Sequence, residues 1–154
     1  MTPNILERHS LAIEMLSLGA RIKIISEATG LSLKALRKSF VEMHGRSPSC
    51  GSQKYNPNFI FKSAAKQQEA TVFVFFFRIT TEKDFSRRTI ASYRRYTTYI
   101  KTAVGSKPCF DFTDAWQIAK WSECGLLKLV RCGHCRSAKL ITEQDSRQCC
   151  VCKK

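Results

Sequence analysis

The sequence predicts a mostly α-helical protein with a helix-turn-helix-like N-terminal part and a small cysteine-rich ribbon at its C-terminus. Through most of the first 125 positions, apolar residues recur three or four apart, which is the spacing of amphipathic helices. Two Cys-x2-Cys pairs follow, and their spacing is typical of a four-cysteine zinc site. We therefore expect a helical domain over residues 1–125 and a zinc-binding segment over residues 126–154.

The first helix is predicted over residues 6–18. Leu11, Met15 and Leu18 recur there at helical spacing and form one apolar face. We interpret this segment as a docking helix that buries that face.

A helix-turn-helix is predicted over residues 20–44. Gly30 offers a stop for its first helix, and Ser32 can cap its second helix. Apolar residues on both flanks would lock the angle between the helices: Ile22, Ile25, Ala28, Leu36 and Phe40. Two amphipathic helices around a glycine are also common in all-α proteins, so a purely structural role stays open.

The outer face of the second of these helices is expected to be basic. Lys34 lies three and four residues before Arg37 and Lys38, so all three would face solvent, as expected for a helix that meets phosphates or base edges in a major groove. These three residues are candidate contacts to the DNA backbone. Further candidates are two residues before the turn, Arg21 and Lys23, and three beside the cysteines, Lys128, Arg131 and Lys139.

Three further helices are predicted before the cysteines. Residues 71–81 have the β-branched and aromatic content of a strand, but the spacing of Val72, Phe75 and Ile79 favours one long helix. Residues 86–103 form a basic amphipathic helix, typical either of a solvated face or of a contact with a nucleic-acid backbone. A short helix is predicted over residues 113–123, with Trp116 and Trp121 as packing residues.

Four cysteines are predicted to hold one structural zinc ion. Thirteen residues separate the pair Cys132 and Cys135 from the pair Cys149 and Cys152. Two such pairs supply a closed tetrahedral site, which leaves no position open for water and so stabilises a fold without performing hydrolysis. Disulfides and a thioredoxin-like redox pair are the alternatives, but the former need an oxidising compartment and the latter a βαβ context.

The charge of the chain indicates a polyanionic partner. Twenty-six Lys and Arg against twelve Asp and Glu give a formal net charge of +14, which makes nucleic acid the first candidate partner. The charge is spread over several segments, which fits a long duplex better than an acidic membrane surface. An acidic protein partner, or solubility alone, would also account for it.

Several other classes of protein are not expected. The sequence has three histidines and no paired acidic motif, phosphate loop or nucleophile elbow, so nothing can be assigned as a catalytic group and we expect no enzyme. The longest apolar run has six residues, far fewer than the roughly 20 that a bilayer span requires, so we expect no membrane partner. The first residues lack the pattern of a secretory signal, which predicts a cytoplasmic protein.

These residues together resemble the FlhC family, whose members are subunits of flagellar transcription regulators. The likeness runs from about Leu11 to Cys152, and its most specific parts are Leu16-Ser-Leu-Gly-Ala-Arg21, Gly45-Arg-Ser-Pro48, Asp114-Ala-Trp116 and Ser122-Glu-Cys-Gly-Leu-Leu-Lys-Leu129. In this resemblance the four paired cysteines correspond to the family's zinc ligands.

The resemblance implies a function as well as a fold. It implies a hetero-oligomer with an FlhD-like subunit, a heterohexamer, that binds and bends promoter DNA, recruits RNA polymerase and activates flagellar genes. Family members usually continue beyond the last cysteine with a basic tail, so contacts made by such a tail are expected to be absent or moved.

Two other functions remain open from the sequence. A zinc-ribbon RNA-binding or ribosome-associated protein would share the charge and the cysteines, but it would bind alone and prefer RNA. A redox protein that uses Cys149, Cys150 and Cys152 would work without the metal.

Overall fold

The computed structural model describes residues 4–54, 56–143 and 148–154. These residues form a mostly helical fold with one two-stranded sheet and a cluster of four cysteines near the C-terminus, which confirms the predicted fold class. The chain folds as two compact units, Met1–Gln53 with Asp111–Thr113 and Lys54–Phe110 with Asp114–Lys154. The compact units therefore divide the chain elsewhere than at residue 125, and the functional division at that point stays a prediction.

Three helices form most of the first unit: α1 (Ile5–Ser17), α2 (Ile22–Thr29) and α3 (Leu33–His44). They confirm the predicted first helix and the predicted pair around a tight turn. Gly30 ends α2 with a φ of 71°, a left-handed conformation that glycine adopts without steric cost. The Ser32 hydroxyl begins α3 by accepting the Ala35 N–H at 3.3 Å.

The helices of the first unit are held together by apolar packing and one long side chain. The inner face predicted from spacing is buried at Ile22, Ile25, Leu36 and Phe40. Arg8 of α1 donates from Nε to the carbonyl of Thr29 at 2.6 Å, which ties α1 to the end of α2. This packing fixes the direction in which α3 leaves the turn.

The second unit contains a 3-10 helix, α4, α5, a π-helical segment that continues α5, most of α6, and two strands. Their bounds are Pro57–Lys62 for the 3-10 helix, Ala64–Ile79 for α4, Phe85–Tyr99 for α5, Ile100–Val104 for the π-helical segment, Phe112–Glu123 for α6, Lys128–Arg131 for β1 and Ala138–Ile141 for β2. The helices predicted over residues 86–103 and 113–123 are thereby confirmed.

The choice of helix over strand at residues 71–79 is also confirmed, by α4. Phe73, Val74 and Phe77 lie on one face of the helix and are buried, so packing of that face outweighs the strand propensity of the segment. Phe75 and Ile79 belong to the spacing that predicted the helix, yet each is 49% exposed on the other face. In the C-terminal half of α4 the apolar residues therefore run almost all the way round the helix.

The two strands pair as an antiparallel hairpin that rests on α4. Leu129 lies opposite Leu140 in the register, and Leu140 is buried in the same apolar core as Phe73. The side-chain amide of Gln67 in α4 donates to the Leu140 carbonyl at 3.5 Å. The loop between the strands, residues 132–137, is thus anchored on a long helix. Nowhere in the described part of the chain is a helix long and apolar enough to cross a bilayer.

Candidate metal centre and nucleic-acid interface

Four cysteine sulfur atoms converge beside the hairpin loop. The Sγ atoms of Cys132, Cys135, Cys149 and Cys152 all lie within 4.8 Å of one another. Cys132 Sγ is 3.7 Å from Cys152 Sγ, and Cys135 Sγ is 3.7 Å from Cys149 Sγ. A tetrahedron with metal–sulfur bonds of about 2.3 Å has edges of about 3.8 Å, whereas a disulfide joins sulfurs only about 2 Å apart. The four side chains can therefore hold one metal ion.

The two cysteine pairs have the same backbone geometry. In each pair the first cysteine donates its N–H to the carbonyl five residues later, at 2.9 Å for Cys132 and 3.0 Å for Cys149. The carbonyl of the same cysteine accepts the N–H four residues later, at 3.0 Å and 2.8 Å respectively. The donors of these N–H groups, Arg136 and Lys153, have left-handed φ values of 59° and 58°. Two loops built alike thus present two sulfurs each.

Hydrogen bonds within these loops prepare sulfur atoms for a cation. A backbone hydrogen bond from Cys152, followed by one from the Ser137 hydroxyl, lowers the pKa of Cys149 to about 5. The Ser137 hydroxyl is also the main cause that lowers the pKa of Cys135. For Cys152 a backbone hydrogen bond from Lys154 lowers the pKa, but burial and the neighbouring thiols outweigh it and raise the pKa to about 11. Because cysteine binds metal as a thiolate, Cys152 must lose its proton when an ion binds.

The spare potential ligands lie outside this set. His134 is exposed, although it stands between the first two cysteines in sequence. Cys150 is half-buried, and burial followed by the charge of Cys149 raises its pKa. Among the described residues, the converging group contains neither of them.

A polar cluster in the second unit, formed by Glu69, Tyr96 and Cys109, was not predicted from the sequence. The Glu69 carboxylate accepts the Tyr96 hydroxyl, the Cys109 N–H at 2.8 Å and the Cys109 thiol at 3.2 Å. Burial and then Glu69 raise the pKa of both Tyr96 and Cys109. Tyr96 and Cys109 lie 27 and 40 positions after Glu69, so no local pattern indicated the cluster.

The basic residues predicted on α3 lie as expected from the helical spacing. Lys34, Arg37 and Lys38 are exposed, and they share the face opposite the buried Leu36. Lys38 Nζ is 3.9 Å from Glu42 Oε1, an exposed pair that contributes less than about 1 kcal/mol. All three cations are therefore accessible to an anion.

The structure places Arg21 and Lys23 differently from each other. Lys23 is exposed on α2. Arg21 is half-buried at the start of α2, where its guanidinium donates to the Gly51 carbonyl and its N–H donates to the Thr113 hydroxyl at 3.3 Å. The Arg21 side chain thus has a contact within the first unit, and its role towards DNA stays a prediction.

The three basic residues predicted beside the cysteines do not form one surface. Lys139 pairs with Val130, so side-chain alternation puts Lys139 and Lys128 on one face of the hairpin and Arg131 on the other. Lys128 Nζ is 3.7 Å from Glu143 Oε1. These positions also stay predictions as DNA contacts.

Comparison with known proteins identifies the family. A family model described as "Flagellar transcriptional activator (FlhC)" matches residues 4–154. The chain belongs to the FlhC family. Its match to the flagellar transcriptional regulator FlhC of Cupriavidus necator is 31% identical over 149 residues, which is 95% of this chain and 72% of the relative.

More distant FlhC relatives match over a similar span. The regulator of Gallionella capsiferriformans is 27% identical over 138 residues, covering 88% of this chain and 75% of the relative. That of Enterobacter cloacae is 25% identical over 138 residues, covering 88% and 72%. The resemblance seen in the sequence is therefore confirmed, and FlhC is a family of transcriptional regulators and not of enzymes.

Proposed function

We propose that this FlhC-family chain is a DNA-binding subunit of an activator of flagellar genes. In this proposal it works in the cytoplasm in a heterohexamer with an FlhD-like subunit, binds promoter DNA and recruits RNA polymerase. The observation that carries the DNA-binding part is the exposed basic face of α3, which follows a capped turn in the first unit.

The dimensions and charge of α3 suit a major groove. Its 12 residues span about 18 Å, and a helix of ordinary diameter enters a major groove about 12 Å wide. Lys34, Arg37 and Lys38 would meet phosphates or base edges, while Leu36 and Phe40 hold the helix on the unit. The formal charge of +14 supplies the long-range attraction.

We also propose that the four converging cysteines hold one structural zinc ion. The 3.7 Å separations of the sulfurs support a closed tetrahedral site, and two like loops supply its ligands. Such an ion joins the C-terminal residues 149–154 to the hairpin. Metal analysis of the chain purified under reducing conditions should find one zinc per chain, and Cys132→Ser should remove it while Cys150→Ser should not.

The DNA-binding proposal is tested by binding to promoter DNA. The full chain, alone and co-purified with the FlhD-like protein of its own genome, is titrated against a flagellar promoter duplex, a scrambled duplex and an RNA hairpin. We expect a stable complex with the partner that binds the promoter more tightly than either subunit. A chain that ignores the partner and prefers the hairpin would instead support a zinc-ribbon RNA-binding protein.

Variants of α3 locate the contact. If Arg37 reads a base edge, Arg37→Ala costs about 1–3 kcal/mol on the promoter and less on the scrambled duplex; if it contacts phosphate, both affinities fall alike. The matched control is Lys62→Ala, which removes an exposed positive charge from the 3-10 helix in the second unit. Equal effects of the two variants would contradict a specific role for α3.

A further inference from the structure

The outer face of α5 and of the π-helical segment after it is basic. Arg87, Arg94, Arg95 and Lys101 are exposed, and residues 85–104 contain no Asp or Glu. Within the part of the chain that the structure describes, none of the four forms an ion pair. We call these four residues the α5 stripe.

Arg88 shows what a structural arginine does on the same helix. It forms an ion pair with Glu123, and its guanidinium carbon lies 4.2 Å from the centre of the Phe77 ring. It is also half-buried, unlike the members of the α5 stripe. The stripe arginines therefore have no comparable part in holding the fold together.

The positions of the stripe residues are fixed by the opposite face of the helix. Ile90, Tyr96 and Ile100 are buried in the second unit, so α5 cannot rotate without losing its core packing. At 1.5 Å per residue, the fourteen steps from Arg87 to Lys101 span about 21 Å. Each strand of duplex DNA carries one phosphate per about 3.4 Å of axis, so a line of this length matches about six phosphates of one strand.

Uncompensated like charges on one helix carry a small cost. Arg94 and Arg95 are adjacent and Arg87 and Lys101 lie about two helical turns away, so the repulsion within the stripe is weak, and a polycationic face without acidic neighbours gains energy from an anion. The residues between the cations are small or hydroxylated at Ala91 and Thr98, which leaves room for a sugar-phosphate chain to approach.

We propose that the α5 stripe binds the phosphate backbone of duplex DNA without regard to sequence, in addition to the contact made by α3. The inference rests on the proposed DNA-binding function. Phosphate contacts position a protein on DNA and supply non-specific affinity. In this proposal α5, a helix of the second unit, makes such contacts.

Other polyanions fit the stripe less well. A membrane-binding helix inserts an apolar face, but the apolar face of α5 is buried in the core. Readers of single-stranded nucleic acid stack bases on exposed rings, whereas the four stripe residues are not aromatic, and the partly exposed Tyr99 at the margin has its ring edge-on to that of Phe76, with the ring centres 6.0 Å apart. A rigid line of cations matches the regular charge of a duplex.

The test is the salt dependence of DNA binding by the zinc-loaded full chain, in complex with its FlhD-like subunit where one forms. Arg94→Ala/Arg95→Ala removes two cations from exposed helical positions, where alanine favours the helix. Because each phosphate contact contributes about 0.9 to the slope of log K against log salt, we expect the slope to fall by about 1.8 for each copy of the chain that contacts the duplex. The loss should be the same on a promoter duplex and on a scrambled duplex.

Two control variants test whether the change in slope depends on positive charge at the stripe positions. Arg94→Lys/Arg95→Lys should keep the wild-type slope, and Lys62→Ala/Arg78→Ala, which removes two exposed charges outside the stripe, should keep it as well. An unchanged slope in the Arg94→Ala/Arg95→Ala variant, or a loss confined to an RNA hairpin or an acidic peptide, overturns the inference alone. A wild-type complex that binds no duplex overturns the proposed function and the inference with it.

Discussion

At the scale of single residues, the Glu69 carboxylate connects parts of the second unit that are distant in sequence. It accepts hydrogen bonds from the Tyr96 hydroxyl on α5 and from the backbone of Cys109 in the loop before α6. Tyr96 is fully buried, so its hydroxyl has no water to replace the carboxylate. One acidic residue thus joins three segments of the second unit.

Tyr96→Phe should lower the free energy of unfolding by about 1.5–3 kcal/mol, because a hydrogen bond to a charged group is lost at a buried position. A shift of the midpoint of urea denaturation measures the change. Tyr99→Phe is the control, since Tyr99 is 43% exposed and should change stability by less than about 0.5 kcal/mol. Equal shifts for the two variants would show that the carboxylate contact adds nothing.

Glu69→Gln should make the Cys109 thiol more reactive. Burial first, and then the hydrogen bond and charge of Glu69, raise the pKa of Cys109, so less thiolate is present at pH 8 than for an ordinary cysteine. Removing the charge lowers that pKa and increases the thiolate fraction. Peptide mass spectrometry should find faster alkylation by iodoacetamide at Cys109 and an unchanged rate at Cys50. A slower rate at Cys109 would contradict this account.

The residues of the metal centre were predictable from sequence to different degrees. Cys132 and Cys149 open two Cys-x2-Cys pairs, and that spacing alone brings two sulfurs to one side of a tight loop. The left-handed Arg136 and Lys153 carry no such signal, because glycine or asparagine is the usual residue there. Glu69 was missed because its partners are distant in sequence.

At the scale of elements, the start of α3 determines how firmly its basic face is held. The Ser32 hydroxyl satisfies one of the unpaired N–H groups of the first turn, and Lys34 follows two residues later. A frayed first turn would let Lys34 move away from any phosphate it contacts. Under the proposed function, helix capping and DNA binding are therefore linked at this end of α3.

Ser32→Ala should destabilise the first unit by about 1 kcal/mol, because the cap is lost. Amide hydrogen exchange of residues 33–37 should quicken, and affinity for promoter DNA should weaken. Ser39→Ala, at an exposed position inside α3, is the matched control and should leave exchange in the first turn unchanged. Faster exchange in the control than in Ser32→Ala would argue against the cap.

The elements were mostly predictable, and α4 shows why and where prediction stopped. For residues 71–79 the helical spacing predicted the right structure against the strand propensity, because a strand would have needed apolar residues at every second position. The same spacing did not tell which face is inside: Phe75 and Ile79 are half-exposed, whereas Phe73 and Phe77 are buried. In a helix that is apolar nearly all round, only the tertiary neighbours select the buried side.

At the scale of the whole molecule, the four converging cysteines are confined to the second compact unit. All four converging sulfurs belong to it, and the hairpin that carries the first pair packs on α4. The first unit contains α2 and α3 and none of these ligands. The four cysteines and the helices could be predicted from local spacing, whereas the contact between α4 and the hairpin leaves no local signal.

Removal of the metal should therefore loosen the second unit and spare the first. Each strand of the hairpin has only four residues, and a two-stranded hairpin is marginal in water without further support. With a strong chelator at neutral pH, amide exchange should quicken across residues 128–141 and in the part of α4 near Gln67. Exchange in residues 22–44 should stay unchanged.

Two variants separate loss of the metal from a general effect of the chelator. Cys132→Ser should reproduce the faster exchange without chelator, because it removes one sulfur of the converging set and leaves a site of three. Cys150→Ser lies outside that set and should keep both the metal and the wild-type exchange pattern. If Cys150→Ser lost the metal while Cys132→Ser retained it, the ligand set would be wrong; if chelation quickened exchange equally in residues 22–44, the compact units would not be separate in stability.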